Sequence, residues 1–404
     1  MTDNYRARIE RLRTRIETGN ELGPDDQKLL LAFSDRLDLL AQNYSEARHD
    51  KLLRHVVVLA EELPDGTLAA TIEDRDDAET AVAWINRNYD NEDTNRDYRI
   101  ALRVFGKRVT EGEDHPESIG WIPSGTSNNY DPTPDPRDML RWEDDVQPMI
   151  ESCYNARDAA MIALQFDAGL RGGEFKNLAV GDVQDHDHGL QVTVEDKMGR
   201  RTIMLIPSVP YVNRWLSDHP DGDNRTAPLW SKLHQSDSIS DKMVLKVLKE
   251  AASRADVSKP VTPTNFRRSS AAFLASRNLN QAHIEEHHGW VRGSRVASRY
   301  ISVFAEQADR ELARLHGLDV SEEEDDPIAP LECTRCGRET PRDESLCVWC
   351  GQAMTPQAAV ELDESDSELN ETLAELPPEK ARQLLDFAES LDDPEIRNAL
   401  LPER

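Results

Sequence analysis

Long apolar runs are absent from this sequence. The most apolar segments, such as Val56 to Ala60, fall far short of the roughly 20 residues that a helix needs to cross a bilayer. No basic-then-apolar leader opens the chain, so the expectation is an intracellular, cytoplasmic protein. Cysteine is scarce too: five in 404 residues, four of them gathered in two pairs, which argues against a disulfide scaffold. The fifth, Cys153, stands alone in an apolar-periodic segment and reads as a small core residue. Positive charge is in short supply. Asp and Glu number 77 against 48 Lys and Arg, a formal net charge of −29, which taken whole argues against a polyanionic partner.

The distribution of that charge changes the argument. Residues 319–404 hold 24 acidic and 7 basic side chains, a net of −17, whereas residues 241–310 hold 12 basic and 7 acidic, a net of +5. The basic stretch is a candidate DNA face. The remaining acidic excess, with Arg far commoner than Lys, resembles proteins of halophilic archaea, which stay soluble in concentrated salt by displaying carboxylates. At molar salt the Debye length is about 3 Å, so distant carboxylates repel DNA little while close Arg–phosphate contacts survive.

Composition shifts divide the chain into blocks. From Tyr5 to Arg108 apolar residues recur at helical spacing, as in Leu29, Leu30, Phe33, Leu37 and Leu40, then Leu52, Val56, Leu59 and Ala60. Thr71 to Asp74 is expected to begin a helix through Val82 and Trp84, and Thr94 to cap the next, with Tyr98, Leu102 and Phe105. The proposed boundaries are a helical domain over 1–122 and a linker over 123–138, where four prolines with Gly, Ser, Asn and Asp make a semi-extended connector. Helices and one hairpin occupy 139–318: Leu190 to Val194, a turn through Lys197, Met198 and Gly199, then Arg201 to Ile206. The fold class is mainly α with a small antiparallel β-sheet. An acidic linker over 319–330 is expected to isolate the cysteine pairs over 331–353 and an acidic tail over 354–404 from the central block. In that tail residues 362–375 are expected to be disordered and a short helix to run from Pro378 to Leu391.

The chemistry sits in the central block. Cleaving a phosphodiester without a metal gathers negative charge on non-bridging oxygens, which guanidinium groups clamp while staying charged at any relevant pH. A nucleophile that forms a covalent link conserves the bond for religation, and an acid must protonate the departing 5′ oxygen. The chain offers Asp167-Ala168-Gly169-Leu170-Arg171-Gly172-Gly173-Glu174, with Gly169 supplying a turn and Arg171 near the start of a helix. Thr262-Pro263-Thr264-Asn265-Phe266-Arg267-Arg268 opens another helix, with Thr262 as cap and Pro263 at its first position. Gly289-Trp290 and then Ser298-Arg299-Tyr300-Ile301 come after it.

In this order and spacing the sequence resembles the tyrosine recombinase, or phage integrase, family over about residues 140–310. The family's Gly-Leu-Arg box, with Glu three positions after the Arg, is similar to Gly169-Leu170-Arg171 with Glu174; its hairpin lysine to Lys197; the arginine of its His-x-x-Arg box to Arg267; its Gly-His/Trp step to Gly289-Trp290; its terminal tyrosine to Tyr300. The resemblance implies a site-specific recombinase that cuts and rejoins double-stranded DNA through a 3′-phosphotyrosyl intermediate, without ATP or a metal for strand transfer. Arg171 and Arg267 would hold the phosphate, Lys197 would protonate the leaving oxygen, Tyr300 would attack, and Trp290 would pack on or donate to the phosphate. It further implies four protomers on paired DNA sites, and a helical core-binding (SAM-like) domain over 1–122. Glu174 and Asp182 are expected to orient neighbours.

One position departs from the pattern. Thr264 stands where the family has His, and threonine can bond a phosphate oxygen but cannot take a proton as imidazole does. Arg268 stands where a second His often comes next. Taken singly, each residue has a plainer reading: Arg171 as surface charge, Lys197 as a solvated turn residue, Trp290 and Tyr300 as core. His287 and His288, at a predicted helix end, are expected to face solvent as caps, with the alternative that they support the residues of the site from behind. The alternative function is a catalytically weakened DNA-binding regulatory or architectural protein on the same fold. A type IB topoisomerase would share the chemistry but has no further support.

Cys333-Thr334-Arg335-Cys336-Gly337 and Cys347-Val348-Trp349-Cys350-Gly351 form two CxxCG knuckles. Two thiolates from each converge on one tetrahedral ion, and the glycines permit the tight turns. The expectation is a structural Zn2+ ribbon, with no open position for catalysis.

Overall fold

Arg99 and Asn265 show how the connector is held. The computed structural model describes residues 5–19, 22–110, 114–131, 133–196, 199–294, 297–299, 316, 327–380 and 382–383. These fall into two compact units, Met1–Pro132 and Thr133–Arg404. The first half of the proline-rich connector belongs to the first unit, where the Arg99 guanidinium donates to the carbonyls of Pro123 (2.7 Å) and Gly125 (3.0 Å) and the Tyr130 hydroxyl to Asp93 (3.0 Å). Its far end belongs to the second, where Asn265 donates to the Asp138 carbonyl (2.8 Å) and the Leu140 amide to the Ser269 hydroxyl (2.8 Å).

The first unit is helical: α1 (Tyr5–Thr18), α2 (Pro24–Leu39), α3 (Glu46–Glu62), α4 (Thr67–Ala70), α5 (Arg75–Asn88), α6 (Glu92–Val109) and α7 (Glu117–Gly120). Leu30, Phe33 and Leu37 of α2 meet Leu52, Val56, Leu59 and Ala60 of α3 in its core, and Phe33 lies edge-on to Phe105 of α6 at 5.4 Å. Caps differ from expectation by a few residues. Asp74 accepts from the Asp76 amide (2.7 Å) at the start of α5, so residues 71–74 precede the helix. Asn91 caps α6, and Thr94 is the residue whose amide it receives (3.0 Å).

The second unit is built around α9 (Ala156–Ala168), in which Ala160 to Gln165 are all fully buried. Asn155 caps it by accepting the Asp158 amide (3.0 Å), and Gly169 ends it in the left-handed region at φ 54°. Around it lie α8 (Gln147–Glu151), α10 (Gly172–Lys176), α11 (Val209–Asp218), α12 (Asp241–Arg254), α13 (Pro263–Ser276) and α14 (Gln281–His288). The expected hairpin is the outer part of a three-stranded antiparallel sheet, β1 (Val183–His186), β2 (Gly189–Asp196) and β3 (Gly199–Leu205). Strand β1 escaped the sequence reading because Val183-Gln184-Asp185-His186 carries one apolar residue in four. The same holds for the small pair β4 (Ser231–Lys232) and β5 (Gln235–Ser238), which is polar throughout. In β2 and β3 the pairs Leu190↔Leu205 and Val192↔Ile203 face the core. Register ends at Asp196↔Gly199, and Lys197 lies outside the described residues.

The cysteine segment is not isolated. Strands β6 (Leu331–Glu332) and β7 (Glu339–Thr340) pair, and Ile328 packs on the main core of the unit. Arg214 of α11 donates to the Val348 carbonyl (3.2 Å) and lies over the Trp349 ring at 5.8 Å, with Arg338 over the same ring at 4.6 Å. Local acidity in the linker could not reveal this contact, because it is made by residues beyond the linker. The acidic stretch 362–375 is also not a disordered tail: it continues α15 (Pro356–Glu375), which begins on the Thr355 hydroxyl accepting the Ala358 amide (3.2 Å). Residues 378–380 and 382–383 are helical, and the rest of the expected last helix lies outside the described residues.

Candidate active site

Two chain reversals bring the arginines together. Gly169 ends α9 and Gly289 ends α14 (φ 61°), both in the left-handed conformation that glycine adopts without strain. A Cβ at Gly169 would stand 2.6 Å from His288 Nε2, so glycine is required there by space as well. Arg171 comes just after Gly169, at the start of α10. Its Nη1 pairs with Glu174 Oε1 (2.6 Å), its Nη2 donates to the Gly289 carbonyl (2.8 Å), and its side chain stays 41% exposed. Arg267, on the second turn of α13 behind the Thr262 cap (3.2 Å), is buried. It donates from Nη1 to the Gly169 carbonyl (2.8 Å) and from Nη2 to the His288 carbonyl.

Trp290 joins this frame. Its ring lies 4.9 Å from the Arg267 guanidinium carbon and stacks on His288 at 4.7 Å and 12°. Residues far apart in sequence thus converge on Arg171, Arg267 and Trp290. Thr264 is exposed in the first turn of α13. Tyr300 and Lys197 lie outside the described residues. Asp182 accepts the Ala179 amide (2.8 Å), a local role.

His287 and His288 correct the expectation of solvent-facing caps. His288 is fully buried, with Nδ1 3.0 Å from the Ile284 carbonyl and Nε2 3.3 Å from the Ser270 hydroxyl. Those partners assign the proton to Nδ1 and make Nε2 the acceptor. Burial, then the charges of His287 and Arg267, holds its pKa well below the ordinary range. His287 Nε2 lies 3.0 Å from the Asp167 carbonyl, and burial lowers its pKa to about 4. Both rings are therefore neutral scaffolding at neutral pH.

Sequence reasoning also passed over Asp167 and Arg201. The Asp167 carboxylate accepts the Ile206 amide (2.8 Å), the Ser208 amide (3.1 Å) and the Ser208 hydroxyl (2.7 Å). Burial raises it to about 6 against those bonds. Arg201 donates from Nη1 and Nη2 to the two Glu174 oxygens (3.1 and 2.7 Å). Burial alone would push Glu174 up, but the bonds from Arg201 and Arg171 and the charge of Arg201 outweigh it and hold the carboxyl at about 2. The signal for Arg201 was its parity: it falls in step with Ile203 and Leu205, the core-facing positions of β3. Arg171 and Glu174 line an open groove of about 920 Å³ that Thr193, Glu195 and Arg200 share.

The fold is that of the tyrosine recombinases. Residues 142–307 match the phage integrase family model. Solved structures share the fold. A lambda integrase tetramer bound to a Holliday junction aligns at a TM-score of 0.53 and 14% identity, over 71% of this chain and 79% of that one. The XerH site-specific recombinase, in a post-cleavage complex with a palindromic difH substrate, aligns at 0.52 and 16% over 78% and 96%. The Tn1549 transposon integrase with transposon right-end DNA aligns at 0.52 and 12% over 71% and 99%.

The four knuckle cysteines form a second cluster. Their sulfurs lie within 4.8 Å of one another, with Cys333 to Cys350 and Cys336 to Cys347 both 3.7 Å apart. Zn–S bonds of about 2.3 Å in a tetrahedron put sulfurs about 3.8 Å apart, so the donor set fits such an ion. Gly337 and Gly351 take the left-handed conformation at φ 69° and 67°. Cys153 is partly buried against the core, its Sγ 3.3 Å from the Met149 carbonyl, and burial raises its thiol to about 12. It is a packing residue.

Proposed function

We propose that this chain is a site-specific DNA recombinase that transfers strands through a tyrosyl phosphodiester. The convergence of Arg171 and Arg267 beside Trp290 supports this reading, because two permanent cations there would suit a phosphate whose non-bridging oxygens accept paired hydrogen bonds. The Tyr300 phenol gives its proton to water or a phosphate oxygen, its oxygen attacks phosphorus, and the bond to the 5′ bridging oxygen breaks. Lys197 gives that oxygen its proton, and a 3′-phosphotyrosyl link conserves the bond. The reverse step, with a 5′ hydroxyl from a partner strand, releases Tyr300. No net hydrolysis occurs, so no ATP is consumed. Four protomers on two DNA sites would complete the exchange, with residues 1–122 as a core-binding domain. Zn2+ on Cys333, Cys336, Cys347 and Cys350 would be structural, since four thiolates leave no open position.

The test is a nicked suicide duplex carrying a site selected from a random pool. The wild type is expected to form a covalent adduct and Tyr300→Phe to bind the duplex without forming one. An adduct persisting in Tyr300→Phe means another nucleophile and sinks the mechanism. One observation favours the second reading, a DNA-binding protein weakened in catalysis: Thr264 replaces the imidazole, and His287 and His288 are both committed to internal partners. Wild type that binds the selected site but never forms an adduct would decide for it.

A further inference from the structure

Glu174 poses an electrostatic problem for the site. A carboxylate 2.6 Å from Arg171 Nη1 would on its own neutralise the arginine that faces the groove. We propose that Arg201 is a positioning residue that occupies the Glu174 carboxylate and thereby leaves the charge of Arg171 available to a DNA phosphate. The inference rests on the reading above only in taking Arg171 as a phosphate ligand.

Three observations carry it. The first is the sharing of both carboxylate oxygens. Oε1 receives Arg171 Nη1 (2.6 Å) and Arg201 Nη1 (3.1 Å), while Oε2 receives the Arg171 backbone amide (2.9 Å) and Arg201 Nη2 (2.7 Å). The one negative charge of Glu174 is therefore shared between two guanidinium groups and not held by Arg171 alone. Second, the exposures divide the labour. Arg201 has a side chain only 14% exposed, whereas that of Arg171 is 41% exposed. The inner arginine is spent on the carboxylate and the outer one opens on the groove.

Third, Arg201 supports the other anchor of Arg171. Its guanidinium lies against Gly289, where an added Cβ would stand 2.7 Å from Nη1, 2.8 Å from Cζ and 2.9 Å from Nε. The carbonyl of Gly289 is the one that accepts Arg171 Nη2. A charged side chain on the core-facing side of β3, paired across from Val194, has a desolvation cost that packing alone does not explain. Its position near the start of β3, just after the hairpin turn, also ties the sheet to the arginine frame.

The experiment is a binding cycle on the full chain with a mixed-sequence 30-base-pair duplex, read by fluorescence anisotropy across a salt series. Removing a single phosphate ligand lowers the salt slope by about one and the affinity roughly tenfold. Arg201→Met is expected to show both effects, and adding Arg171→Ala to it is expected to change affinity less than about twofold, because Arg171 no longer engages the phosphate. Arg201→Met with Glu174→Gln is expected to recover slope and affinity to within about threefold of wild type, since the unshared carboxylate has been removed. A merely structural role for Arg201 would not be rescued by deleting its partner. Additive effects, or a double variant as weak as Arg201→Met, overturn the inference. If Arg201→Met does not fold, Arg201→Lys with and without Glu174→Gln runs the same cycle, and failure of Glu174→Gln to recover binding overturns the inference there too. Adduct formation on the suicide duplex is scored separately. A non-additive cycle without wild-type adduct upholds Arg201 and removes the strand-transfer reading, whereas adduct with an additive cycle does the reverse.

Discussion

The arginine frame and the cysteine ribbon are both convergent clusters, but they are assembled over different distances. Cys333 and Cys350 are 3.7 Å apart at the sulfurs and close in sequence. Arg171 and the Gly289 carbonyl that holds it are separated by 118 positions, and Arg267 and the Gly169 carbonyl by 98. A local cluster can be closed by its own turns and an ion. A distant one exists only while the core of its unit holds α9, α13 and α14 in place. The ribbon should therefore fail together with only the elements it touches when its ligands are changed, and the arginine frame should fail with its scaffold.

The largest expected effect is on the ribbon. Cys347→Ser removes one thiolate from a set whose metal affinity in small zinc domains amounts to about 10–16 kcal/mol of folding free energy. We expect stoichiometric zinc in the wild type and none in the variant by metal analysis, with hydrogen exchange rising across residues 331–353. Because Arg214 and Ile328 join the ribbon to the unit, exchange should also rise in α11. Zinc retained by Cys347→Ser breaks the comparison at its local end.

Next comes Arg267→Met. It leaves the Gly169 and His288 carbonyls without this donor and removes one phosphate clamp, an effect on adduct rate of roughly 10²–10³-fold. It should also lower thermal stability, by about 1–3 kcal/mol for the carbonyls that lose this donor. An unchanged melting temperature would mean that the frame does not depend on this arginine.

A smaller effect is expected at Thr264. Tyrosine with a pKa near 10 is ionised to about one part in a thousand at neutral pH, and both ring nitrogens of the buried His288 already meet internal partners. Wild-type adduct formation should rise from about pH 6 to pH 9, and Thr264→His should raise the neutral rate about tenfold or more and flatten the profile. A fast, flat wild-type profile with no gain in Thr264→His would show that another group takes the proton.

The smallest is the pH dependence of stability at Asp167. Its folded pKa of about 6 is raised above the unfolded value by burial, so the stability it contributes is fully present below about pH 4 and lost as pH rises through about 6. Denaturant unfolding should show the wild type gaining about 1–2 kcal/mol relative to Asp167→Asn between pH 7 and pH 5. Glu174 works in the opposite sense. Held at about 2, it stabilises above the ordinary carboxylate range and is lost only as pH falls through about 2. Parallel curves for wild type and Asp167→Asn would show that Asp167 does not titrate as a buried acid.

Legibility followed the same division between near and far. The Thr262 cap, Pro263 at the first position of α13 and the turn at Gly169 were readable, because each is set by a few neighbouring residues. The knuckles were readable for the same reason. Polar strands such as β1 were not, since their pairing partner supplies what their own pattern lacks. The acidic stretch 362–375 reads as disordered from its charge alone, and nothing in that charge reveals the helix it continues.

The sequence by itself determined the candidate residues: their types, order and spacing singled out Arg171, Arg267, Trp290 and the four cysteines, because candidate chemistry depends on functional groups and local turns set spacing. Only the tertiary structure decided what lies behind them. Burial turned His287 and His288 from surface caps into neutral supports, and the register of β3 turned Arg201 inward onto Glu174. Desolvation and partner choice depend on which distant groups fill the neighbouring space, and no local pattern in the chain specifies that.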